Sequence, residues 1–175
     1  MPSGSDMVAV GDSVMLASAP ELQREFPGVV IDATVARQMR EAPAILRKLE
    51  DTNTLRSTLV IGLGTNGAIS NHTLDEIHEI AGPSRDIVLV NASAPREWTD
   101  TVDNQLAELA HREKNVGLCD WRTAITAKPE LLASDGIHPR PGGGAIYAEC
   151  IRDALERLTT SNDSDSARTA HHDTD

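Results

Sequence analysis

Ser13, in Ala9-Val10-Gly11-Asp12-Ser13, and His138, in Asp135-Gly136-Ile137-His138-Pro139, are the residues of this chain whose types best suit bond-making chemistry. A serine hydroxyl is a weak nucleophile at neutral pH and needs a base to take its proton. His138 is the candidate base. Asp135 is the candidate carboxylate that holds the ring in the tautomer whose other nitrogen faces Ser13. A nucleophile, a base and an orienting carboxylate are the parts of acyl transfer through a serine ester. Their order along the chain differs from that of the protease triads, but such sets are defined by geometry and role. A third stretch, Gly62-Leu63-Gly64-Thr65-Asn66-Gly67, follows the apolar run 58–61. That spacing puts Asn66 on a loop at the carboxyl end of a strand, where open parallel sheets build their sites. Asp12 reads as a helix cap or loop-orienting residue in preference to a catalytic one.

Five short apolar runs, 7–10, 29–33, 58–61, 87–90 and 116–119, must position these residues. Between them lie segments with helical periodicity at 14–25, 41–49, 74–81, 102–112 and 144–158. Gly82-Pro83 ends the third helix, and Pro141-Gly142-Gly143-Gly144 leads into the last. Apolar runs alternating with helices predict a parallel sheet covered on both faces. The expected architecture is a three-layer α/β/α domain of flavodoxin-like type with five parallel strands. Ser13, Asn66 and the Asp135–His138 loop then converge on the carboxyl edge of the sheet. The start of the helix after Ser13 favours a developing negative charge there.

Gly11-Asp12-Ser13, Gly64-Thr65-Asn66 and Asp135-Gly136-Ile137-His138 resemble three of the four signature blocks of the SGNH (GDSL-like) hydrolases, over roughly 7–158. The resemblance implies strand order 2-1-3-4-5 and an oxyanion hole formed by the Ser13 amide, the Asn66 side chain and one further backbone N–H. In that family the last comes from a glycine, and the matching stretch, Asp32-Ala33-Thr34-Val35-Ala36-Arg37-Gln38, offers Ala36. An amide survives that change, but a positive φ becomes costly.

A narrower resemblance, carried by Val35-Ala36-Arg37-Gln38, the stretch from Asn91 to Trp98 with Asn104, and Cys119-Asp120-Trp121, is to the extracytoplasmic SGNH domain of membrane acyltransferases, the peptidoglycan O-acetyltransferases among them. It implies acetyl transfer to or from a cell-envelope glycan. The partners are then an acyl donor, a glycan acceptor and a fused membrane region that this chain does not contain. Two alternatives are a free-standing SGNH esterase acting on small or carbohydrate esters, and a carbohydrate-binding domain that keeps the fold without turnover.

Arg37, Gln38, Arg96 and Trp98 are the candidate substrate contacts, the first two for sugar hydroxyls or a carboxylate and Trp98 as a flat face for a sugar ring. With only four aromatic residues in the chain, packing is the competing role for Trp98 and the favoured one for Trp121. No cofactor is implied, and no His/Cys set has metal-like spacing; His171-His172 lies in an acidic polar end. A net charge of −11 argues against nucleic acid and anionic lipid as partners. No run approaches the roughly 20 apolar residues of a membrane helix, and no signal-peptide pattern precedes Met7. At 175 residues the chain suits one α/β core, with 1–6 linker-like, 7–158 as the domain and 159–175 as a disordered acidic tail. Cys119 and Cys150, the only cysteines, suit either two buried small hydrophobes or a disulfide.

Overall fold

Each of the five apolar runs forms a strand: β1 (Met7–Gly11), β2 (Val30–Ala33), β3 (Thr58–Gly62), β4 (Asp86–Val90) and β5 (Val116–Cys119). The computed structural model describes the backbone of residues 2–170 and the side chains of 2–160. All four strand pairs are parallel and the order is β2-β1-β3-β4-β5, as the SGNH resemblance implies. Gly11 stands opposite Ala33 on one side and Gly62 on the other. That register brings the carboxyl ends of β1, β2 and β3 level, and the loops leaving them start side by side.

Among the described residues seven α-helices cover the sheet: α1 (Ser13–Ala17), α2 (Ala19–Glu25), α3 (Ala42–Asp51), α4 (Asn71–Ala81), α5 (Thr99–Arg112), α6 (Trp121–Thr126) and α7 (Pro141–Ala170). Successive strand residues point to opposite faces, so continuous apolar runs supply two cores. Met7, Ala9, Val60, Val88 and Val90 pack with α1, α2, α6 and α7 on one face. Val8, Val10, Leu59, Ile61, Ile87 and Leu89 pack with α3, α4 and α5 on the other. Each fully buried aliphatic side chain contributes about 1.5–3 kcal/mol of transfer free energy, enough to explain why so short a set of strands dictates the layers.

The helices depart from the sequence reading at three places. The segment 14–25 is two helices, because Ser18 returns its hydroxyl to the Val14 carbonyl (2.9 Å) and Pro20 opens a new helix. α6 escapes a periodicity reading at six residues; its start is capped by Asp120, whose side chain accepts from the Thr123 amide (3.1 Å). α7 begins at Pro141, so the glycines expected to lead into it lie inside its first turn. They are there for close approach. A Cβ on Gly143 would come within 2.7 Å of the Leu131 carbonyl, and one on Gly144 within 2.8 Å of the Glu21 carboxylate.

A disulfide joins Cys119, at the end of β5, to Cys150 in α7, with Cα atoms 5.2 Å apart. Gly4–Asp6, within the stretch read as linker-like, forms a 3-10 turn with Gly4 buried against the Phe26 and Pro27 carbonyls. The expected tail falls on the last turns of α7, helical as far as Ala170, and on 171–175, which lie outside the described residues with His171 and His172.

Candidate active site

Ser13 is the first residue of α1, immediately after β1, and the tightness of that junction comes from Asp12. Asp12 Oδ1 accepts from the Val14 amide (2.9 Å), and the Asp12 amide donates to the Gly62 carbonyl (3.1 Å), tying the turn to β3. The capping role expected of Asp12 is the one it takes. Its carboxyl is 1% exposed, and its second oxygen makes no hydrogen bond of normal geometry. Burial raises its pKa above the usual carboxylate value, against the lowering pull of the Val14 amide and of Thr65 beside it.

The loop before α7 brings a base to this serine across 125 residues of sequence. His138 Nε2 lies 2.9 Å from Ser13 Oγ, and His138 Nδ1 lies 2.7 Å from Asp135 Oδ2. A carboxylate can only accept, so Nδ1 carries the proton and neutral Nε2 is left to accept from the serine hydroxyl. Asp135 Oδ1 also accepts the Ile137 (2.9 Å) and His138 (3.1 Å) amides. The His138 hydrogen bond first, then those two amides, lower the Asp135 pKa to about 2. Gly136, at φ 68°, makes the turn that lets one carboxylate collect all three donors. The loop is closed by Ala133 N–H to the His138 carbonyl (2.8 Å) and Arg140 N–H to the Leu131 carbonyl (2.8 Å).

Asn66 leaves β3 on its expected loop, and its side-chain amide donates to the Arg37 carbonyl (3.1 Å). One hydrogen on that nitrogen is thereby used, and the second is left for another acceptor. Ala36 lies in the turn between Thr34 and Arg37, which Arg37 N–H closes on the Thr34 carbonyl (3.3 Å). Its φ is 63°, the left-handed region that a glycine would enter freely.

The four expected substrate contacts separate. Arg37 is largely buried, and its guanidinium is committed to the ends of β1 and β2. Gln38 caps a 3-10 turn, Met39–Glu41, with its own amide donating to Glu41 Oε1 (2.8 Å). Trp98 is half-buried against the α3–α5 core, and its indole N–H donates to the Thr65 carbonyl (3.3 Å), next to Asn66. Arg96 is exposed, with no side-chain hydrogen bond among the described residues. Trp121 is buried edge-on to Tyr147, ring centroids 5.2 Å apart, in the packing role expected of it. The sequence reading missed these internal commitments; only the Gln38/Glu41 spacing carried a local signal.

No family model matches the chain. YrhL of Bacillus subtilis (strain 168) is 34% identical over 154 residues, 88% of this chain and 24% of that protein. The C-terminal catalytic domain of Streptococcus pneumoniae peptidoglycan O-acetyltransferase A, solved with a methylsulfonyl adduct, superposes with a TM-score of 0.79 at 26% identity, covering 88% of this chain and 94% of that one. The chain belongs to the SGNH hydrolase family. A lipolytic G-D-S-L protein from Veillonella parvula shares the SGNH fold at a TM-score of 0.68 and 15% identity, over 86% of this chain and 98% of its own. This SGNH domain spans about a quarter of the length of the curated relatives it matches. Among the described residues no helix is long and apolar enough to cross a membrane, and no cluster of His, Cys, Asp and Glu is arranged to hold a metal ion.

Proposed function

We propose that this chain is the acyl-transferring domain of a cell-envelope O-acetyltransferase, moving an acetyl group through a Ser13 ester to or from a glycan hydroxyl. The observation that carries the reading is the continuous relay Asp135–His138–Ser13, with separations of 2.7 and 2.9 Å. Ser13 Oγ attacks the acetyl carbonyl as its proton passes to His138 Nε2. The oxyanion is met by the Ser13 and Ala36 amides and the Asn66 side-chain amide. The bond to the donor alcohol then breaks, and His138 returns the proton to the departing oxygen. In the second half His138 takes a proton from the acceptor hydroxyl, that oxygen attacks the Ser13 ester, the acyl C–Oγ bond breaks, and His138 returns the proton to Ser13 Oγ.

Water and a sugar hydroxyl compete for the same acyl-enzyme, so transferase and hydrolase differ in which acceptor is positioned. Arg96 and the solvent edge of Trp98 are the side chains left to meet that acceptor. Two findings support a cell-envelope glycan: the likeness to the pneumococcal peptidoglycan O-acetyltransferase domain, and the Cys119–Cys150 disulfide, a bond that persists in oxidising, extracytoplasmic surroundings. The remaining three quarters of the relatives' length is where a membrane acyltransferase region would deliver the acetyl group.

The test is to offer an aryl acetate with and without envelope oligosaccharides and to quantify acetyl-glycan and free acetate by mass spectrometry. Acetyl groups diverted onto glycan support the proposal. Rapid hydrolysis with no acetylated glycan from any oligosaccharide favours the free-standing esterase. No turnover, with Ser13 unlabelled by a serine-directed phosphonate, leaves a carbohydrate-binding domain.

A further inference from the structure

Arg37 has an environment unlike that of a residue waiting for substrate. Its side chain is 12% exposed, and its two terminal nitrogens make four hydrogen bonds within the protein. Nη1 donates to the Gly11 carbonyl (3.4 Å) and the Asp32 carbonyl (2.5 Å). Nη2 donates to Asp32 Oδ1 (2.8 Å) and Thr34 Oγ1 (3.1 Å). A guanidinium has five N–H donors, so these contacts use all those on the terminal nitrogens. The backbone of the same residue closes the Ala36 turn, and its carbonyl accepts from Asn66 Nδ2.

Gly11 is two residues before Ser13. Arg37 therefore touches the segments that carry all three amides of the oxyanion site: the β1 exit, the Ala36 turn and the Asn66 loop. We infer that Arg37 is a positioning residue, a brace that fixes the spacing of those donors before substrate arrives, and not a substrate contact. This rests on the acyl-transfer reading given above. Its physical basis is that donors stabilise a developing oxyanion only if they are already aimed, and small misplacements from residues away from the chemistry cost rate. The planar fork matters more than the charge, because an ammonium is a point donor and cannot span Gly11 and both Asp32 oxygens at once.

The test uses the whole 175-residue chain, an aryl acetate as probe and ¹H–¹⁵N spectra of each variant. Arg37→Lys is expected to lower kcat about 10- to 100-fold with KM changed little, the scale of a misplaced donor. The amide signals of Ala36 and of the Asn66 side chain should shift with it. Asp32→Ala removes one anchor of the guanidinium and should give the same pattern, smaller. It also serves if Arg37→Lys does not fold. A raised KM with kcat intact would make Arg37 a substrate contact and overturn the inference. So would full activity in a folded Arg37→Lys, or in Asp32→Ala where Arg37→Lys does not fold. Ser13→Ala, run alongside, separates the two levels. If it keeps turnover, the acyl-transfer reading fails, and the Ala36 and Asn66 signals alone decide the brace, unshifted signals refuting it.

Discussion

Around Ser13 the chain is buried and bonded across strands, with Asp12 held to the end of β3 and Gly11 to residues after β2, whereas around His138 the residues Asp135 and Gly136 are exposed and the hydrogen bonds, the one to Ser13 apart, are local. The nucleophile thus depends on the integrity of the whole sheet. The base depends on one loop of a few residues. An exposed pair such as Asp135–His138 adds little to stability, since solvent screens it. Its Nδ1 hydrogen bond nevertheless decides which nitrogen of the imidazole carries the proton. Stability and reactivity are therefore held in different places, and substitutions at the loop should expose that division.

The largest effects should come from the two residues that act as one unit. Ser13→Ala and His138→Ala are each expected to lower ester turnover by at least ~10⁴-fold, and the double variant by no more than the worse single one. Thermal unfolding of all three should stay close to that of the unmodified protein. Additive losses in kcat/KM would show that the sheet side and the loop side work independently.

Asp135→Asn should cost up to ~10⁴-fold, because an amide donating to Nδ1 selects the wrong tautomer. The pH dependence has a definite sign. With its pKa lowered from an unfolded value near 3.9 to about 2, Asp135 stabilises the fold above pH ~4, and that contribution is lost as pH falls through 2. Being exposed, it should amount to on the order of 1 kcal/mol or less. Urea unfolding of the unmodified protein and Asp135→Asn at pH 7 and at pH 2 measures it. A variant that unfolds far more readily at pH 7 would mean that the loop supports the fold after all.

Asn66→Ala is expected to be milder, at ~10²–10³-fold in kcat, or roughly 2.7–4 kcal/mol of transition-state stabilisation. Steady-state kinetics with an aryl acetate would read it. A raised KM at constant kcat would make Asn66 a binding residue and move it out of the comparison.

Much of this was legible in the sequence, for identifiable reasons. The strands are runs of β-branched and aliphatic residues, and a parallel sheet places the loops that leave its strands on one edge, so the amino-acid order alone locates Ser13 and Asn66 there. His138 came from residue type and the Asp135 spacing. The choice of partner by buried polar groups escaped. Arg37 finds Gly11 across 26 residues, and Trp98 finds Thr65 across 33. Periodicity carries no record of such pairings, and an arginine beside a site looks the same in sequence whether it faces ligand or backbone. The break at Ser18 and the short α6 escape periodicity because the first rests on a hydroxyl bonded back to Val14 ahead of Pro20 and the second on a single cap. Cys119 and Cys150 were undecided because their Cα separation depends on how α7 packs beside β5.

Ala36 has a consequence for how such chains are recognised. Holding a non-glycine residue at φ 63° costs about 1–2 kcal/mol, while alanine restricts the unfolded chain and returns about 0.4–1 kcal/mol relative to glycine. The strain outweighs the gain by up to roughly 1.5 kcal/mol, so alanine here carries a net cost that the hydrogen bonds around the turn must offset. A pattern that insists on glycine at this place would discard a chain whose backbone still makes the turn. In this chain the turn is defined by a torsion angle and by the arginine bonded beside it, and neither follows from the letter at the turn itself.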